Sequence, residues 1–158
     1  MWLSTKVWEI NMNIRNMKIE DYTAVNNLWL NTKGMGLNNL DDSLEGIQKY
    51  LQRNPKTCFV GLENEEIIGA ILAGHDGRRA YIYHCAVKEN KRYQGFGKRL
   101  VELAINALKD EGIHKVACVV FKDNLSGQKF WESCGFNCRE DLTYLNKNLS
   151  EIERIDMK

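Results

Sequence analysis

Arg92-Tyr93-Gln94-Gly95-Phe96-Gly97 stands where an apolar run hands over to a helical pattern. The run before it, Tyr81 to Val87, is rich in aromatic and β-branched residues and reads as a strand. After it, Phe96, Leu100, Leu103, Ala104, Ala107 and Leu108 recur at helix spacing, and Gly112 falls where a C′ residue is expected. At a helix start the first backbone N–H groups lack intrahelical partners, and the dipole favours an anion. Glycine at 95 and 97 lets a phosphate approach the backbone with no Cβ in the way. The chemistry this spacing predicts is a phosphate or pyrophosphate cradle built from backbone N–H groups between Arg92 and Lys98. Lys91, Arg92, Lys98 and Arg99 add positive charge around it. A P-loop is excluded, because position 92 is Arg and Lys98 is followed by Arg99. A dinucleotide fingerprint needs a third glycine, and position 100 is Leu.

A second stretch reads Asn124-Leu-Ser-Gly127-Gln-Lys-Phe130-Trp131-Glu-Ser-Cys134-Gly135-Phe136. The first motif, R-x-x-G-x-G after a strand, resembles the acyl-CoA pyrophosphate loop of the GCN5-related N-acetyltransferases. The second resembles that family's N-x-x-A-x-x-[FL]-Y-x-x-x-G-F. Asn124, Phe130, Gly135 and Phe136 match it, while Gly127 replaces the small Ala and Trp131 the usual Tyr. The two motifs stand in the family's order, and the resemblance spans roughly residues 13–148. It is nearest to small bacterial single-domain members of the YpeA-like group.

The resemblance implies acetyl-CoA as co-substrate, held in an opening between two splayed parallel strands, here Tyr81–Val87 and Val116–Phe121. It assigns the pantetheine arm to the backbone of Cys85, Ala86 and Val87. It assigns the pyrophosphate to Arg92, Tyr93, Gln94, Gly95, Phe96, Gly97 and Lys98, with Asn124 and Phe130 completing the cofactor side. The implied reaction moves the acetyl group to a primary amine of a small molecule or peptide. An ammonium is not a nucleophile, so a base or a water chain must first take a proton. Other family members place a Glu on the first strand, about where Tyr81 stands, and a tyrosine is a poor base. His84 is of a residue type suited to proton transfer near neutral pH. Strict alternation sets it on the face opposite Tyr81, Tyr83 and Cys85 unless a bulge intervenes. It therefore reads either as the base or as a packed strand histidine. Trp131 occupies the family's general-acid position, and Tyr83 is the alternative proton donor. Without the usual Tyr and Glu, a non-catalytic acyl-CoA-binding sensor or interaction domain is the alternative reading.

These residues need a frame. Asn13 to Lys18 reads as an edge strand. Tyr22, Val25, Leu28 and Trp29 share a helix face, and a glycine-broken loop follows from Lys33. Asp42-Ser-Leu-Glu45 reads as a capping box with Asp42 as N-cap, opening a helix with Leu44, Ile47 and Leu51 on one face. Strands are expected at 57–62, 67–73, 81–87 and 116–121, with turns at Glu63–Glu66 and Asp76-Gly77. Phe136–Cys138 and Leu142–Leu145 are expected to finish the sheet. The result is an α/β acetyltransferase-type fold, with a mixed sheet of six to seven strands and about four helices. In the family, the Lys33–Leu40 loop and the hairpin near His75–Arg79 border the acceptor. Asp41 there suits a cationic amine, whereas Arg78 and Arg79 suit an acceptor carrying a carboxylate or phosphate.

The chain's 158 residues suffice for one domain, expected over 13–158, with residues 1–12 as an extension and Met12 as a possible alternative start. A formal net charge of +1 argues against a nucleic-acid binder. Five cysteines, an odd number lying mostly in apolar runs, suggest reduced thiols and a cytoplasmic location. Cys134 and Cys138 lack a second ligand pair, so no metal is expected. Nor is a membrane span, because no apolar run is long enough. The expected assembly is a monomer or homodimer.

Overall fold

The structure, a computed structural model, describes residues 12–156. The expected N-terminal extension lies outside the described residues apart from Met12. Strand β1 (Asn13–Asn16) leads through one 3-10 turn (Ile19–Asp21) into α1 (Tyr22–Leu30) and, after a loop, α2 (Leu44–Arg53). Strands β2 (Phe59–Glu63), β3 (Glu66–His75) and β4 (Ala80–Val87) form an antiparallel meander that continues from β1. Helix α3 (Phe96–Asp110) then crosses to β5 (Val116–Cys118), which runs parallel to β4, and α4 (Leu125–Ser133) follows. The sheet order is sequential.

Helices cover both faces. Val25, Leu28 and Trp29 of α1 and Ile47 and Leu51 of α2 pack on Val60, Ala70, Leu72 and Ala86. On the other face Leu100, Val101, Ala104 and Leu108 of α3 pack on Ile71, Ala73, Ala80 and Ile82. Strand β3 serves both layers with alternate residues, so its sequence is continuously apolar rather than alternating. Short-range chemistry shapes the turns. Asn64 and Glu65 both take positive φ, the requirement of a tight two-residue hairpin. The Asp76 carboxylate accepts the N–H groups of Arg78 and Arg79, both at 2.8 Å.

Three expectations need correction, and one open alternative is decided. Helix α2 starts one residue later than the capping-box reading. Ser43 is its N-cap, with Oγ accepting the Gly46 N–H at 3.0 Å, and Leu44 turns outward at 51% exposure. Strand β5 ends at Cys118, and Val119 and Phe121 are exposed. Phe136–Cys138 and Leu142–Leu145 form no strands, so the sheet among the described residues has five strands rather than six or seven. An apolar segment orders as a strand when one of its faces is buried, yet Leu142 and Leu145 are 61% and 85% exposed. Finally, β4 does not alternate regularly. Leu72 pairs with His84 but Ala73 pairs with Ile82, leaving Tyr83 as the extra residue of a β-bulge. Ala80 and Ile82 therefore face α3, while Ala86 faces α1 and α2.

The entry to α1 is fastened by Asp21. Its carboxylate takes both guanidinium nitrogens of Arg15, at 2.7 and 2.8 Å, and the Lys18 N–H at 2.9 Å. The Arg15 hydrogen bond is the main force holding the Asp21 carboxyl below its ordinary range, against the opposing effect of burial. A depressed folded-state pKa adds stability above the unfolded value of about 3.9, and that stability is lost as pH falls through the lower folded value. Asp21→Asn is expected to cost about 1 kcal/mol at neutral pH. Paired thermal melts should show the gap between variant and native chain closing below about pH 4.

Candidate functional site

Strands β4 and β5 stay together for only three residue pairs, from Ala80–Val116 to Ile82–Cys118, and then part. The register of β4 on β3 settles what the parting exposes. The Lys88 N–H bonds to the Ile68 carbonyl at 2.7 Å, so the pairs Ala70–Ala86 and Leu72–His84 are the hydrogen-bonded ones. The backbone groups of Cys85 and Val87 consequently point away from β3, into the opening. Those of Ala86 turn to β3. A chain lying in the opening meets the peptide groups of Cys85 and the N–H of Val87. The side-chain nitrogen Nε of Arg92 donates to the Val87 carbonyl at 3.0 Å and fastens the following loop to the end of β4.

At the mouth of the opening α3 begins. Gly95 is its N-cap, with φ 87° and ψ 2°, a left-handed conformation that L side chains rarely adopt. Tyr93 also has positive φ and is fully exposed. The N–H groups of the first turn, through Lys98, precede the first bond back to Gly95, which Arg99 makes at 3.1 Å. Phe96 is buried and anchors the turn. Gly97 has a packing role. A Cβ on it would stand 3.0 Å from the Phe130 ring, so its absence lets α4 close against α3. Of the basic residues, Lys91 pairs with Glu63 on β2 and Arg99 with Glu102.

Asn124 is the N-cap of α4, its Oδ1 accepting the Gly127 N–H at 2.9 Å. Its amide also lies against Gly34 of the α1–α2 loop. Trp131 packs edge-on between Phe130 and Phe136, with ring centroids 5.1 and 5.0 Å away. This aromatic group joins Cys85, Val87, Cys118 and Cys134 around the α3 face of the sheet. Burial pushes the Cys85 thiol up to about 12 and the Cys118 thiol up to about 11, so both stay protonated near neutral pH.

The bulge gathers the titratable residues differently from strict alternation. The Tyr81 and Tyr83 rings lie 4.6 Å apart at a 46° tilt, and Tyr83 meets Tyr50 of α2 edge-on at 5.8 Å. Tyr83 is 56% exposed. Burial pushes Tyr81 up to about 12 and raises Tyr83 as well, which leaves their phenols as hydrogen-bond donors rather than bases. His84 faces the α1–α2 side with them. Its ring packs edge-on against Trp29 at 4.8 Å, and Nε2 lies 2.6 Å from the Asp42 carboxylate.

Asp42 was concealed by its reading as a helix cap, and no sequence signal pairs it with His84. The fastening of the acceptor-side loop was equally out of reach. Asp156 accepts the N–H groups of Gly36 and Leu37, both at 2.9 Å. Asn39 and Glu153 bond reciprocally, and the Arg154 guanidinium lies 4.5 Å over the Phe121 ring. By contrast, Arg78 and Arg79 sit on the hairpin whose neighbour His75 pairs with Glu111, at the far end of α3 from Gly95.

Residues 22–136 match the acetyltransferase (GNAT) family. N-alpha-acetyltransferase 30 of Schizosaccharomyces pombe is 29% identical over 113 residues, 65% of this chain and 75% of the relative. An acetyltransferase of Pectobacterium atrosepticum is 28% identical over 140 residues, 89% of this chain and 97% of the relative. The PaiA N-acetyltransferase of Thermoplasma acidophilum, solved in complex with coenzyme A, superimposes with a TM-score of 0.73 at 18% identity. That match covers 83% of this chain and 92% of the other. The sheet, its parted strands and the matched sequence agree: this chain is an acyltransferase and belongs to the GNAT family.

Proposed function

We propose that the chain transfers the acetyl group of acetyl-CoA to a primary amine of a small molecule or peptide. One observation carries the reading. Among the described residues the β4 edge that β5 leaves, with the peptide groups of Cys85 and the N–H of Val87 turned to it, leads from the helix start at Gly95 to the bulge at Tyr83. An anionic group at the α3 N-terminus and an extended arm along β4 would place a thioester beside Tyr83 and His84. Acetyl-CoA supplies the acetyl group as a thioester with a thiol leaving group.

The chain's residues divide the remaining work. Backbone N–H groups between Arg92 and Lys98 bind the pyrophosphate, and Arg92 keeps their loop docked on β4. Cys85 and Val87 act through their backbones, so their side chains stay inert. Asn124 orders the start of α4, and its amide lies beside Gly34 of the acceptor loop. Trp131 keeps its aromatic group packed under the opening, and its indole N–H cannot act as an acid near neutral pH. Tyr83, exposed on the bulge, is the hydroxyl positioned to protonate the departing thiolate. Asp41, close enough to Tyr83 to raise its pKa, favours a cationic acceptor. Arg78 and Arg79 stand at the hairpin tip, beside the far end of α3 from Gly95. The five cysteines are free, in keeping with a reducing, cytoplasmic setting. Among the described residues no helix is long and apolar enough to cross a membrane.

Calorimetry with acetyl-CoA, followed by turnover against a panel of primary amines, tests the reading. Binding in the micromolar range and transfer to at least one amine are expected. A folded chain that binds no acetyl-CoA would overturn it.

Two variants probe the parts. Gly95→Val forces a branched residue into φ 87° at the cradle. Affinity for CoA should fall on the order of 10- to 100-fold, about 1.4 to 2.8 kcal/mol. Unchanged affinity in a folded variant would remove the pyrophosphate assignment. A thiol's pKa of about 8.5 makes its thiolate a tolerable leaving group, so the reaction does not require an acid at position 131. Trp131→Tyr is expected to keep or raise turnover, whereas Tyr83→Phe should lower it on the order of 10²-fold. Steady-state rates of the two variants at saturating acetyl-CoA decide the matter.

A further inference from the structure

We propose that Asp42 and His84 form the proton-accepting dyad of the transfer, with His84 Nδ1 as the accepting atom, reached from the acceptor through one buried water. The proposal rests on the acetyl-transfer reading and adds the base that this reading lacks.

Geometry fixes the tautomer. Both carboxylate oxygens of Asp42 are acceptors, Oδ1 facing His84 Nε2 at 2.6 Å and Oδ2 taking the Asn38 N–H at 2.8 Å. Nε2 therefore carries the hydrogen, and Nδ1 of the neutral ring is a bare acceptor. The two side chains are 7% and 5% exposed. Among the described residues Nδ1 is buried with no hydrogen-bond partner, and so is Nε1 of Trp29, whose ring stands edge-on to the imidazole. One atom is an acceptor lacking a donor and the other a donor lacking an acceptor. A water that accepts from Trp29 Nε1–H and donates to His84 Nδ1 satisfies both. The arrangement mirrors a catalytic His–Asp pair, in which the carboxylate grips one ring nitrogen and the other does the chemistry.

The surroundings of the pair carry charge of one sign. The groups that meet the pair are Asp42 from the α1–α2 loop, Tyr22 and Trp29 from α1, and Tyr83 from the bulge. Tyr22 donates its hydroxyl to the Asp42 carbonyl at 2.7 Å, and Asp41 lies near Tyr83. The only charges in this set are the two carboxylates. The phenols of Tyr81 and Tyr83 are shifted away from base chemistry, and the Cys85 thiol likewise.

The step balances. One N–H bond of the acceptor's ammonium breaks as its proton moves to the water, and a water proton bonds to Nδ1. The imidazolium so formed keeps its Nε2–H on Asp42. The freed lone pair makes the C–N bond to the acetyl carbonyl carbon, and the thioester C–S bond breaks. The new amide nitrogen gives up a second proton, which ends on the sulfur.

His84→Gln keeps a side-chain N–H for Asp42 but removes the titrating ring. Asp42→Asn keeps the ring and removes the carboxylate. In both, kcat/KM for the amine at neutral pH should fall on the order of 10²-fold while CoA affinity by calorimetry stays within about twofold. The acid limb of the pH profile should vanish in His84→Gln. Asp42→Glu should restore part of the rate. A His84→Gln chain with the native profile, or with a lower Tm and an unchanged limb, would overturn the dyad and leave the acetyl-transfer reading standing. Should the variants fail to fold, nitrogen NMR of the native chain decides. An Nε2–H tautomer at high pH that titrates across the acid limb supports the proposal, whereas an Nδ1–H tautomer ends it. A native chain that neither binds nor consumes acetyl-CoA removes the reading and the dyad together.

Discussion

Ile82 and Cys118 are the last residues that β4 and β5 share, and the parting beyond them organises everything around it. Inside a sheet every strand edge is paired, because an unpaired backbone group removed from water costs free energy. Here Cys85 and Val87 turn their peptide groups to a side from which the neighbouring strand has departed. On the α3 face beside that edge, Phe130, Trp131, Cys134 and Phe136 share one apolar cluster with Cys85 and Val87. Gly97 sets how closely α4 approaches α3, since even a methyl group there would meet the Phe130 ring. The opening is thus a missing strand bounded by a fixed wall, with the start of α3 at its mouth.

The bulge at Tyr83 is the second constraint, and it serves both layers at once. A regular β4 would place Ala80, Ile82, His84 and Ala86 on one face. The extra residue lets Ile82 join the α3 core while His84 meets Trp29 of α1. It also leaves Tyr83 unpaired with β3 and exposed at the end of the free edge. Bulges re-aim side chains in this way beside active sites. The loop opposite is held from two sides, by Asp42 reaching to β4 and by Asp156 binding Gly36 and Leu37. A buried pair such as Asp42–His84 is weak evidence for stability, because desolvation offsets the attraction. Its clearer effect is to fix where the loop sits relative to the bulge.

Much of this was readable from local pattern. The strand, loop and helix around Gly95 depend on residues adjacent in sequence, and Gly112 and Gly135 end their helices at positive φ as local chemistry requires. Asn124 caps α4 for the same reason. The bulge was not readable as a position, because Ile82-Tyr83-His84 contains no glycine or proline to mark it. The length of β5 depends on how far β4 accompanies it, which is a tertiary property. So does the fate of Leu142–Leu145, whose apolar residues find no face to bury. The contacts of Asp156 with Gly36 and Leu37 bridge nearly the whole chain, and no periodicity predicts a pairing at that separation.

The one-residue shift at the start of α2 shows how such long-range demands override a local rule. Asp and Ser are about equally good N-caps, so Asp42 and Ser43 compete on nearly equal local terms. Ser43 prevails, its hydroxyl bonding the Gly46 N–H and the Leu40 carbonyl. Were Asp42 the cap, its carboxylate would point along the helix axis, and the Asn38 N–H and His84 Nε2 would both lose their acceptor. With Ser43 in that place, Asp42 is free to turn inward and satisfy the half-buried Asn38 N–H and the buried His84 Nε2. Leaving either unsatisfied costs on the order of 1–3 kcal/mol, more than the few tenths separating the two caps. Leu44, the first residue of the helix, is left 51% exposed while Ile47 and Leu51 are buried. A cap rule applied to the sequence alone therefore errs at the residue whose position the site most depends on.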